Sequence, residues 1–140
     1  MSQVISGIQS STAALEAERM RLDVISENIA KAHSTRNQDG MPFQRKVVAF
    51  EPALQQALKD QTFTPTLQVG RIEKESRPTI RVYRPGHADA DAKGMVAMPA
   101  INLHEEMADM ISASRAFEAN LAVIKNAHSM ALQTVSIGKH

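Results

Sequence analysis

A chain of 140 residues is long enough for one modest domain, and 43% hydrophobic with 22% charged residues excludes a disordered composition. The formal net charge is +1 and Lys and Arg form no long run, which argues against a nucleic-acid surface. Having no Cys excludes disulfides and thiol chemistry; having no Trp and 4% aromatics argues against a dense core built on large aromatic anchors.

The N-terminus "MSQVISGIQSSTAALEAERM" has no early Lys or Arg and no unbroken apolar core, so no Sec-type signal peptide is expected. No apolar run is long enough to cross a bilayer. All six prolines fall between Pro42 and Pro99. Proline breaks helix interiors, so both ends are free to form long helices and the middle is not. The N-terminal stripe is Ile8, Leu15, Leu22 and Ile29, helped by Val4, Ile25 and Ala32. Ser11 and Glu18 stand where the second seam position should be apolar. The stripe is therefore narrow, and such a helix needs a partner, because propensity alone leaves it marginal in water. The pattern collapses into polar residues in "SENIAKAHST".

The middle, about 41–100, reads as short strands and turns. "FQRKVVAF" and "TIRVYR" carry β-branched and aromatic residues; Ile80 and Val82 alternate with Arg81 and Tyr83 as a half-buried strand would. "EPALQQALKD" predicts a short helix with Pro52 at its first position. "RPGHADADAKG" is turn and loop, and "MVAMP" a final short strand.

The C-terminal end carries the cleaner signal. Leu103, Met107, Met110, Ser114, Phe117, Leu121, Ile124, His128, Ala131 and Val135 alternate by four and three, the seam of a coiled coil or long bundle helix. Asn102 caps its start with Glu105 as capping-box partner, and Gly138 suits its stop. "SASRAFEAN" mixes Arg115, Glu118 and Asn120 with small Ala residues, either a solvated face or, the favoured reading, a contact strip for a neighbouring helix, with Arg115 and Glu118 placed to pair. One such seam against one thin stripe buries too little, so the two ends are expected to order fully when neighbouring subunits cover them.

Two clusters carry ligand types. "HADAD" sets His87, Asp89 and Asp91 at alternate positions, either a metal site or a polar loop whose Asp residues make turns with their own backbone. "HEEMAD" holds His104, Glu105, Glu106 and Asp109, but Ala108 stands where a zinc-protease helix needs its second His, and acids in a first helical turn suit the dipole. His128 on the seam reads as a register-fixing or tolerated polar residue. A small metal-dependent module around His87, Asp89, Asp91 and His104 is thus the alternative to an assembly subunit.

Two stretches carry a family resemblance. "DVISENIAKAHSTRNQDGMPFQRKVVAFE", with Asn28, Ile29 and Ala30, and "VYRPGHADADAKGMVAMPAINLHEEMADMISASRAFEANLAVIKNAHSMALQTVSIGK" resemble the axial protein family of the bacterial flagellum, closest to its C-type proximal-rod subunits. Lys31 and His33 stand where that family commonly has Asn. The resemblance implies a mainly α fold with a small β insertion. Its N- and C-terminal helices would pair as an antiparallel coiled coil. Residues 1–35 and 101–140 would form an inner helical layer and 36–100 an outer β/loop-rich part. It implies a structural subunit of the periplasm-spanning rod that assembles with other rod subunits and copies of itself. At the rod base the membrane ring and export apparatus would be neighbours. Export would use the flagellar type III apparatus, and the subunit would transmit torque. No catalysis, cofactor, metal, nucleic acid or small-molecule substrate is expected. The residues expected to pack in assembly are Ile8, Leu15, Leu22, Ile25, Asn28, Ile29, Ala30, Leu103, Met107, Met110, Arg115, Phe117, Asn120, Leu121, Ile124 and His128.

Overall fold

The computed structural model describes residues 2–52 and 67–137. Helix α1 spans Ser2–Lys31, and α2 spans Leu103–Ile137. Between them lie β1 (Lys46–Pro52), β2 (Leu67–Lys74), β3 (Ile80–Tyr83) and β4 (Met95–Met98). The fold is mainly helical with a small β insertion. The helices run antiparallel: Arg21 of α1 meets Asp109 of α2, and Asn28, further along, meets the earlier residue Glu106.

Each helix end has a local cause. α1 dissolves into turns in which the Ser34 amide donates to the Lys31 carbonyl at 3.0 Å. At the start of α2, Asn102 Oδ1 accepts from the His104 amide at 3.0 Å and the Asn102 carbonyl takes the Glu106 amide at 3.1 Å, the geometry of an N-cap. Glu105 does not close the capping box; it reaches Arg77 at 3.1 Å instead. Gly138 lies outside the described residues.

The strands form two antiparallel pairs, β1 with β2 and β3 with β4. Ala49 pairs with Arg71 and Phe50 with Val69, so Gly70 is an extra residue in β2, a bulge that a glycine accommodates. β2 was not foreseen, because Gly70 interrupts the alternation of its side chains. Glu51 and Pro52 end β1; the rest of the short helix expected at 51–60 lies outside the described residues. In β3, Val82 is half-buried but Ile80 is exposed, so half of the expected alternation holds. The β3–β4 connection closes where the Arg84 amide donates to the Gly94 carbonyl at 2.8 Å, with Gly94 at φ 73°.

The buried apolar side chains among the described residues are few: Ala17, Val24 and Ile25 on α1, Ala32 just past its end, Ala113 on α2, Phe43, and Val96 and Met98 on β4. The accessible surface is 10400 Å², against roughly 7,100 Å² for a compact monomer of this 15.3 kDa mass. The contact faces also differ from the expected seams. On α1, Ile8, Leu15, Leu22 and Ile29 are half-buried; the buried residues are the expected Ile25 together with Ala17, Val24 and Asn28, and the expected Ala32 is buried just past the helix end. On α2 the inner face shares Leu103, Met110, Ser114, Phe117, Leu121 and Ile124 with the predicted seam. It continues through Glu106, Ala113, Asn120 and Ala127, while Met107 and His128 are exposed. Both differences have one origin. The helices approach on small and polar side chains, Ala17, Ala113, Asn28 and Glu106, which apolar periodicity does not weigh.

Candidate assembly surface and the polar junction behind it

The fold leaves several large apolar side chains of α2 uncovered. Met107 and Ile111 remain 54% and 56% exposed, and Val123, Met130, Leu132, Val135 and Ile137 are exposed as well. From His128 to Ile137 every residue is exposed. Exposed apolar surface of this extent on one helix is surface that another chain can cover.

The expected packing residues fall on three levels of burial. Ile25 and Asn28 are buried; Ile8, Leu15, Leu22, Ile29, Leu103, Met110, Phe117, Asn120, Leu121 and Ile124 are half-buried; Ala30, Met107, Arg115 and His128 are exposed. Arg115 and Glu118 both face outward, and among the described residues no ion pair joins them.

Behind this surface lies a polar junction that joins α1, α2 and β1. Asn28 and Glu106 are its centre, 1% and 0% exposed. Asn28 Nδ2 donates to Glu106 Oε2 at 3.0 Å and to the Lys46 carbonyl at 2.8 Å, and Asn28 Oδ1 accepts from the Lys46 amide at 2.9 Å. Arg45 then makes a fan of contacts: Nε to Glu106 Oε1 at 2.5 Å, one terminal nitrogen to Glu75 at 2.8 Å, the other to Asp109 at 3.3 Å. Arg21 reaches the second oxygen of Asp109 at 3.5 Å. The buried carboxylate therefore has a cation and a neutral donor, which is what makes its burial tolerable.

Electrostatics around the junction follow from these contacts. Burial pulls the Arg45 guanidinium down, but its bonds to Glu106 and Glu75 outweigh that and hold it above its usual range. Arg45 and then Arg77 hold the Glu75 carboxyl below the usual carboxylate range. Lys31 and Lys46 do the same for Glu27, whose Oε1 takes both ammonium groups at 2.9 Å. The same two ammonium groups lie 4.9 and 5.7 Å from the centroid of the buried Phe43 ring. Lys31, one departure from the family pattern, thus has a local role.

The ligand-type clusters are engaged elsewhere. Asp89 accepts from Thr35 Oγ1 at 2.7 Å and pairs with Arg36 at 2.6 Å, which fastens the loop to the end of α1. Asp91 Oδ1 accepts from the Lys93 and Met95 amides at 2.8 and 2.9 Å; these backbone bonds, Met95 first, hold its carboxyl below the usual range. His87 Nδ1 accepts from the Asp89 amide at 3.1 Å, and the His104 side chain is exposed. Among the described residues no three His, Asp or Glu side chains converge as a metal would need, and no helix is long and apolar enough to cross a membrane.

Sequence reasoning missed Arg45, Glu106 and Asp109 as junction residues. One signal was available: Glu106 stands on the same helical face as Met110, Ala113 and Phe117, and a charge in that row calls for a partner.

Comparison with known proteins adds the following. Residues 92–137 match the family described as flagellar basal body rod FlgEFG protein C-terminal. The whole chain is similar to the flagellar basal-body rod protein FlgC of Borreliella burgdorferi, 39% identical over 147 aligned residues that cover 96% of this chain and 97% of the relative. The protein of the same name from Yersinia enterocolitica is 37% identical, with 91% and 92% covered. That from Bacillus subtilis is 30% identical, with 92% and 94% covered.

Proposed function

We infer that this chain, which belongs to the family of flagellar basal-body rod proteins named FlgC, is a structural subunit of the bacterial flagellar rod. The observation that carries this is a relation spanning nearly the full length of both chains at 30–39% identity. The uncovered apolar side chains of α2 support it, since a subunit of a packed assembly must keep such surface for its neighbours.

The finer reading is as follows. The chain sits in the proximal part of the rod and packs against other rod subunits and copies of itself. Residues 1–35 and 101–140 form an inner helical layer, and 36–100 face outward. The subunit leaves the cytosol by the flagellar type III apparatus and transmits torque towards the hook. It carries out no catalysis.

The test is complementation. The chain is expressed in its own host lacking the native copy, and basal bodies are isolated. Restored swimming, with the chain present in purified rods, is the expected result. Swimming that returns without the chain in the rods, or a chain that remains outside them, overturns the reading.

A further inference from the structure

We propose that the Asn28 carboxamide, braced by Glu106 and Arg45, is the coupling element that makes the helical pair and the strand layer move as one body. Its purpose rests on the rod reading; its geometry does not.

The Glu27–Lys46 and Arg77–Glu105 pairs also cross from helix to strand segment, but their side chains are a quarter to a half exposed, and such pairs hold weakly. The Asn28 link is different in kind. Both its groups meet the backbone of a single residue, Lys46, the first of β1. The side-chain amide thus imitates a neighbouring strand at the point where β1 begins. Its remaining N–H goes to Glu106 on α2, whose other oxygen takes Arg45, the residue before β1. Displacing the strands therefore has to break bonds to both helices at once, one of them, Asn28 to Glu106, fully buried.

The chemistry selects Asn. Asp accepts but cannot donate, and would set a carboxylate against Glu106 and against the Lys46 carbonyl. Gln carries the same amide one methylene further, which displaces it from the Lys46 backbone groups and Glu106 that Asn28 meets at 2.8–3.0 Å. Ser cannot satisfy three partners. An asparagine at this position is thus explained by what it touches, not by helix formation, for which it is a poor choice.

The test follows backbone amide exchange by NMR on the full chain, with swimming as the second readout. Asn28→Asp should speed exchange of the Lys46 amide by about tenfold or more, because a repelled carboxylate leaves its partner unbonded. The amides of residues 17–25 should keep their protection, and swimming should fall. Adding Glu106→Gln returns an N–H facing a carboxylate and keeps the total charge beside Arg45, so Lys46 protection and swimming should partly return. Where Asn28→Asp does not accumulate, Asn28→Ser must show the same split between Lys46 and residues 17–25. Unchanged Lys46 exchange overturns the proposal. So does an equal loss of protection in residues 17–25, or the absence of any rescue. If the chain proves absent from rods while the exchange pattern holds, the rod reading fails and the coupling stands.

Discussion

Replacing Ile111 by Asp should abolish rod assembly without unfolding the subunit. Ile111 is 56% exposed on α2, so the fold itself uses less than half of its surface. Full burial of an isoleucine contributes about 1.5–3 kcal/mol, which leaves about 0.8–1.7 kcal/mol for a neighbour to recover. The substitution removes that term and adds the cost of desolvating an unpaired carboxylate, several kcal/mol in a closed contact. A combined loss of about 3 kcal/mol weakens subunit addition roughly a hundredfold, and the defect repeats at every copy. The isolated chain should lose only the part its own fold uses, about 0.7–1.3 kcal/mol, or roughly two to four degrees in Tm for a chain of this size. The assay pairs thermal unfolding of the purified chain with swimming rings and a count of basal bodies by electron microscopy. Normal swimming with a normal count would mean no neighbour covers this face, and the case for α2 as an assembly surface would be lost.

Ala113→Leu, two residues away, should do the reverse: Ala113 is 0% exposed and the helices meet there, so overpacking should cost about 1–3 kcal/mol and lower Tm by roughly 3–10 °C, read by circular dichroism. Gly94→Ala should loosen the β3–β4 pair by about 1–2 kcal/mol, because φ is 73° and the new Cβ would lie 2.9 Å from Tyr83 Cε2 and 3.1 Å from Pro85 Cβ. Faster exchange at the Arg84 amide, with α2 unchanged, is the check. Acid should weaken the junction through Glu75 and Glu27. Their carboxyls lie lower folded than unfolded, so the stability they add is present above an unfolded value of about 4.3 and is lost as pH falls through the folded values. The urea midpoint should drop below about pH 4.3, and Glu27→Gln with Glu75→Gln should flatten that part of the curve.

Much of the fold was legible because its signals are local. Proline placement separated the helical ends from the strand-forming middle, and "KVVAF", "IRVY" and "MVAM" each read as strands from side-chain type alone. The cap at Asn102 and the Asp91 turn were legible for the same reason: each bonds within four residues. What was not legible depends on partners distant in sequence. The Asn28–Glu106 bond spans 78 positions and the Arg45–Glu106 pair 61, so no window of sequence contains either. The inner faces were only partly legible for a related reason. Counting large apolar side chains finds the surface that wants covering, and in a subunit made for assembly that surface is shared between the chain's own helices and its neighbours.

This also gives a reason for a buried charge in so thin a core. An apolar side chain in place of Glu106 could stabilise the pair as well or better, since buried ion pairs roughly break even with apolar ones. It could not fix register. Ala17 and Ala113 are smooth surfaces that tolerate sliding, and one turn of slip still buries apolar groups. Such a slip would carry Glu106 away from Asn28 and Arg45 and leave a carboxylate unpaired in the interior, where the penalty is several kcal/mol. The junction therefore penalises every alignment but one. In a polymer, an error in one subunit's register is passed to the next contact, so a device that costs little stability and excludes misalignment suits a rod subunit better than a larger core would.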